Sequence, residues 1–241
     1  WADGTLTMRY SMRLSLSLAE VSRLTAGTLT GGENALFVTG VTADNLTVTD
    51  VLALRSERLQ NMALGPDGSR MPEGAAFLGL FPRDENGDGV TEVPEAREMQ
   101  RFDEEGEQQY YVVWRQYSAD GTAADVQSCY HNVEDGWNLK LPEEWSKAKL
   151  AAERTVGADE TAVSFYRVSA SGRRSKVLTI YRLTGSMREE LAGLGDRFTL
   201  TRQVEAVYAA EIGDIWNVQL TEQSLRDRFS LIMAEWVMGD N

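Results

Sequence analysis

The sequence predicts an α+β protein that is mainly antiparallel β, and three observations carry that expectation. Short runs rich in aromatic and β-branched residues recur along the 241 residues. Asp120-Gly121 and Asp135-Gly136 fall between such runs, where tight hairpin turns need positive φ. Helical periodicity is confined to a few brief stretches.

Taken in order, Thr5 to Ser15 reads as a strand. A short helix is expected next, because Ser17 with Glu20 three residues on can satisfy two orphan N–H groups reciprocally, and Gly27 can end it. Strands follow at Ala35 to Thr39, Leu46 to Leu54 and Leu59 to Leu64, the first two parted by turn residues Thr42 to Asn45. Pro66-Asp67-Gly68 is a turn, and Ala75 to Phe81 is an apolar run.

From Gln109 to Leu141 the pattern becomes a meander of three strands, Tyr110 to Tyr117, Asp125 to Asn132 and Trp137 to Leu141. The last hundred residues add strands at Ala162 to Ser169, Lys176 to Leu183, Phe198 to Gln203 and Glu205 to Ile212. One helix is expected from Ser186, with Glu189 completing a capping box, to Gly193 or Gly195. Another is expected from Glu222 to Val237, where Leu225, Phe229, Ile232, Met233 and Trp236 recur at helical spacing as a core face. Trp114, Trp137 and Trp145 also read as core residues.

Charge narrows the partners. With 24 Lys and Arg against 37 Asp and Glu, the formal charge is −13, which repels phosphate backbones, so nucleic acid is not expected as a partner. No run of eighteen apolar residues is present, so no transmembrane segment is expected. A start at Trp1 in place of methionine is expected to reflect processing or trimming, in which a signal peptide or lipid anchor could have been lost. The single cysteine, Cys129, cannot form an internal disulfide. With His131 two residues on, it is the one nucleophile–base pair in the chain, although alternation along the strand accounts for both as sheet positions.

The segment Asp84-Glu85-Asn86-Gly87-Asp88-Gly89-Val90-Thr91-Glu92-Val93-Pro94-Glu95 carries the clearest chemistry. Ca²⁺ takes six to eight hard oxygen ligands, and alternate residues of a tight loop can converge on one point while Gly89 permits the bend. Asp84, Asn86 and Asp88 are expected to give side-chain oxygens and Val90 its carbonyl. Glu95 would close the shell in a helix-loop-helix site, but no amphipathic helix precedes the loop and Pro94 stands before Glu95, so Glu92 is the expected last ligand. Mg²⁺, which keeps waters in a strict octahedron, fits less well.

The run Asp84-x-Asn86-Gly87-Asp88-Gly89-x-x-Glu92 resembles the calcium loop of FG-GAP or VCBS repeats, the blades of integrin-type β-propellers. Gly31 to Thr39 and Thr49 to Leu54 are similar to blade strands of exported bacterial proteins. One complete loop and about 125 residues imply partial, propeller-like blades, not a closed propeller. The stretch Asp135 to Trp145, with Ala162 to Tyr166 and Leu178 to Tyr181, is similar to the opening of PsbP-like α/β/α sandwich domains of bacterial lipoproteins, which carries over no catalytic residues.

The expected organisation is therefore a β-rich domain at 1–130 with the calcium loop and a PsbP-like α/β domain with a C-terminal amphipathic helix at 131–241, the boundary lying near Tyr130 to Gly136. The expected function is a non-catalytic, calcium-binding cell-surface or secreted bacterial module that contacts a protein or a glycan. A secreted hydrolase using Glu143 and Glu144 or Asp103 and Glu104, and a structural spacer, are the alternatives. Adjacent carboxylates on a strand point to opposite faces, so neither pair is a ready acid/base couple.

Overall fold

The computed structural model describes residues 8, 10–12, 14, 18–64, 79–103, 106–213 and 220–232. The chain divides into two units, one made of Trp1–Ala96 with Val113–Gln127, the other of Arg97–Val112 with Ser128–Asn241. Antiparallel sheets dominate both. Most of the strand expected at Thr5 to Ser15, the Pro66-Asp67-Gly68 turn, most of Ala75 to Phe81, and Met233 to Val237 lie outside the described residues.

The first unit opens with an antiparallel four-stranded sheet in sequence order, β1 (Leu18–Thr28), β2 (Asn34–Thr42), β3 (Thr47–Arg55) and β4 (Arg58–Asn61). β1 is the first correction, since a helix was expected from Ser17 to Gly27. Val21, Thr25 and Thr28 are β-branched, and Leu24 pairs with Val38 and Thr28 with Asn34 in an antiparallel ladder that shifts register between Leu18 and Glu20 and between Val21 and Arg23. Gly31 and Gly32, at φ 109° and 93°, let the chain double back, a conformation closed to most other residues. Ladder pairing across that turn outweighs the local capping signal of Ser17 and Glu20.

Period two then sorts the residues. On β2, Ala35 and Phe37 are buried with Val51 and Ala53 of β3, Leu29, Met62, Val93 and Tyr117 in one apolar cluster, while Leu36 faces out. A second sheet takes in β5 (Val93–Glu98), β6 (Tyr110–Tyr117), β7 (Ala123–Asn132) and β8 (Trp137–Lys140), in the order β14-β8-β7-β6-β5, where β14 is Phe229–Leu231. The expected three-strand meander is present in β6, β7 and β8. Gly121 and Gly136 take φ 85° and 74° in its turns.

The second unit adds α1 (Glu143–Ser146) and the strands β9 (Leu150–Val156), β10 (Glu160–Val168), β11 (Arg174–Leu183), β12 (Phe198–Arg202) and β13 (Val207–Ile212), in the order β12-β13-β11-β10-β9. Trp137, Trp145, Phe165, Leu178, Ile180 and Leu225 are the heart of its core. α2 (Arg188–Ala192) lies where a helix was expected, but its N-cap is Met187 with no side-chain cap bond, so the Ser186–Glu189 box does not form.

α3 (Glu222–Arg228) is the other correction. Thr221 and Ser224 cap it reciprocally, and it stops nine residues short of the expected Val237. Phe229 to Leu231 leave the helix to pair with Leu139 to Trp137 of β8. The Phe229 ring stacks on Trp137 at 5.9 Å and meets Tyr208 at 5.6 Å, so a residue read as part of a helical stripe packs, half-buried, against the core from a strand instead. No helix among the described residues is long and apolar enough to cross a membrane.

Candidate metal centre

The loop between Arg83 and Glu92 is closed by an antiparallel bridge, with the two residues exchanging backbone bonds of 3.1 and 2.9 Å. Thr91 anchors the far side. Its N–H donates to the Thr28 carbonyl at 2.9 Å and its Oγ1 accepts from the Thr28 N–H at 3.3 Å, so the end of β1 fixes the residue next to Glu92. Gly27 permits this approach, since a Cβ there would stand 2.2 Å from Thr91 Oγ1.

Inside the loop, side-chain oxygens organise the backbone. Asp84 Oδ1 accepts from the N–H groups of Gly87 at 2.7 Å and Asp88 at 3.1 Å, and Oδ2 accepts from Gly89 at 2.9 Å. Asn86 Oδ1 accepts from Asp88 N–H at 2.9 Å, and Asp88 Oδ1 from Val90 N–H at 2.8 Å. Gly87 and Gly89 adopt φ 81° and 86°, which folds the alternate side chains inward.

Carboxylate oxygens of Asp84, Asp88 and Glu92 lie within 4.8 Å of one another. Ligands that share a Ca²⁺ at about 2.4 Å stand at most about 4.8 Å apart, so this spacing is compatible with a shared ion. Glu92 is fully buried, while Asp84 and Asp88 are exposed. Burial pushes the Glu92 carboxyl above its usual value, the negative Asp88 and Asp84 push the same way, and bonds from Glu85 N–H and Gln116 pull against them. Asp88 moves the other way, held low by the Val90 N–H and the Gln116 amide.

None of the ion pairs formed among the described residues involves the three carboxylates. Arg83 pairs with Glu85 at 2.6 Å, and Arg115 pairs with Glu95 at 3.3 Å and Asp125 at 2.8 Å. Glu95 therefore faces Arg115 and the Tyr117 hydroxyl from β5. What does reach the centre is Gln116 on β6, whose Nε2 donates to Asp88 Oδ2 at 2.7 Å and Glu92 Oε1 at 2.6 Å. Spacing within the loop gave no sign of Gln116. The sequence shows no more than a polar residue on a strand, beside Tyr117 and, by period two, on the face of Trp114.

The other candidates are placed differently. Cys129 is 1% exposed on β7, and His131, two residues on, has Nδ1 3.3 Å from Asn138 Oδ1. Glu143 and Glu144 are exposed in the first turn of α1, with Glu143 paired to Lys147. Asp103 is exposed and Glu104 lies outside the described residues. No family model, curated protein or solved structure matches the chain.

Proposed function

We propose that Asp84, Asn86, Asp88, Val90 and Glu92 bind one Ca²⁺, and that the protein is a non-catalytic, calcium-stabilised module of a bacterial cell surface or secreted protein that contacts a protein or a glycan. The observation that carries the reading is the convergence of three carboxylates, one of them fully buried, with no Lys or Arg paired to them among the described residues. A buried carboxylate beside two others is costly without a cation. Asn86 Oδ1 and the Val90 carbonyl add neutral oxygens, and rotation of the Gln116 amide would exchange its donor for Oε1 toward the ion. All are hard ligands of the kind Ca²⁺ takes.

The module reading rests on two further observations. The antiparallel sheet β1-β2-β3-β4 has the strand count of a propeller blade, which supports the FG-GAP/VCBS resemblance. By register, Leu24, Leu36 and Leu54 are diagonal neighbours on three adjacent strands, and they are 61%, 40% and 56% exposed, an apolar stripe suited to a protein partner.

Calorimetric titration of chelator-stripped protein tests the metal reading. One Ca²⁺ is expected per chain, with a Kd of about 10⁻⁴–10⁻³ M as in extracellular modules, and weaker binding of Mg²⁺. Asp88→Ala should abolish the signal. Heat of dilution alone in the unaltered chain overturns the reading.

A further inference from the structure

Asn86 and Gly87 are the one Asn-Gly pair in the sequence, and both are exposed. In such a pair the glycine nitrogen can attack the asparagine side-chain amide carbon, because no Cβ shields it. The new N–C bond forms as the amide C–N bond breaks. The departing nitrogen leaves as ammonia, taking a proton to replace the one the backbone nitrogen gives up to solvent. Water then opens either C–N bond of the resulting succinimide, giving aspartate or isoaspartate, and nothing is oxidised or reduced.

In this loop both reacting groups are tied. The Gly87 N–H donates to Asp84 Oδ1 at 2.7 Å. The Asn86 amide is held at both ends by Asp88, its Oδ1 accepting from the backbone N–H at 2.9 Å and its Nδ2 donating to Oδ2 at 3.1 Å. A hydrogen bond to a carboxylate is among the stronger kinds, and here it secures the proton that the nitrogen must lose in order to attack.

We propose that Asn86 is a deamidation site held in check by Asp84, so that opening of the loop exposes it to a one-way chemical change. The product adds a negative charge between Asp84 and Asp88, and isoaspartate also lengthens the backbone by one carbon. Either change spoils the side-chain-to-backbone register that shapes the loop. No ion takes part in the reaction, and rates compared in chelator keep its failure distinct from failure of the metal reading.

Peptide mapping by mass spectrometry after incubation at neutral pH reads the modification directly. In the intact chain, Asn86 should deamidate more slowly than in the same chain unfolded in guanidinium. Asp84→Ala in the folded chain should raise the rate by about tenfold, the factor set by losing one hydrogen bond to a charged acceptor. Asp125→Asn removes a carboxylate that pairs with Arg115 outside the loop, leaves the Asp84–Gly87 bond, and should leave the rate nearly unchanged. Equal rates in the folded and unfolded chain, or equal acceleration by Asp84→Ala and Asp125→Asn, overturn the proposal.

Discussion

The amide of Gln116 bridges Asp88 and Glu92, its Nε2 lying 2.7 Å from one carboxylate and 2.6 Å from the other. One neutral donor from β6 thus stands where the account places a cation, and the two arrangements compete for the same oxygens. Gln116→Glu would set a fourth carboxylate there. The ion-free protein should then melt a few degrees lower, and the gain on adding Ca²⁺ should grow. Thermal melts in chelator and in Ca²⁺ check both signs, and an unchanged Ca²⁺ gain would remove Gln116 from the site.

Gly27 sets how closely β1 approaches the loop. A side chain there meets Thr91 Oγ1 at 2.2 Å, Thr91 Cβ at 2.8 Å and the Phe37 ring at 3.0 Å. Gly27→Val is expected to cost about 1–3 kcal/mol by overpacking, and to weaken Ca²⁺ binding by displacing the neighbour of Glu92. Urea unfolding and calorimetry measure the two effects separately.

Acid sensitivity should centre on Asp135 in the second unit. Burial alone would raise its carboxyl, but bonds from Arg154, Asn132 and Thr161 outweigh burial and hold it below the usual 3.8. As pH falls, the unfolded chain therefore takes up the proton first. The stability this group contributes is fully present above pH 3.8 and is lost as pH falls through the lower folded value. Asp135→Asn should cost about 2–3 kcal/mol near neutrality, because it breaks a buried ion pair while Arg154 keeps Glu134. It should also flatten the acid limb of stability measured by urea unfolding from about pH 5 to about pH 2.

The fold and the candidate site were legible in the sequence to different depths, for physical reasons. The meander could be read because Asp120-Gly121 and Asp135-Gly136 fix the turns and the intervening residues are β-branched or aromatic. Residues 18–27 misled because Ser17 and Glu20 carry a local helix signal, whereas pairing with Asn34 to Thr42 is a distant effect. Phe229 misled in the same way, since it sits at helical spacing from Leu225 yet pairs with Leu139. Asp84, Asp88 and Glu92 could be singled out because the loop is local and its oxygen-bearing residues alternate. Gln116 could not, since a contact 24 residues from Glu92 depends on how β6 is placed.

Thermal unfolding in millimolar Ca²⁺ and in chelator, with Asp88→Ala alongside, decides whether the loop from Asp84 to Glu92 holds one Ca²⁺. At about ten times Kd the bound ion should raise the melting temperature by about 3–6 °C, and Asp88→Ala should melt alike in both conditions. Coincident melts of the unaltered chain with and without Ca²⁺ would contradict the account, leaving the loop as a turn shaped by Asp84, Asn86 and Asp88 alone.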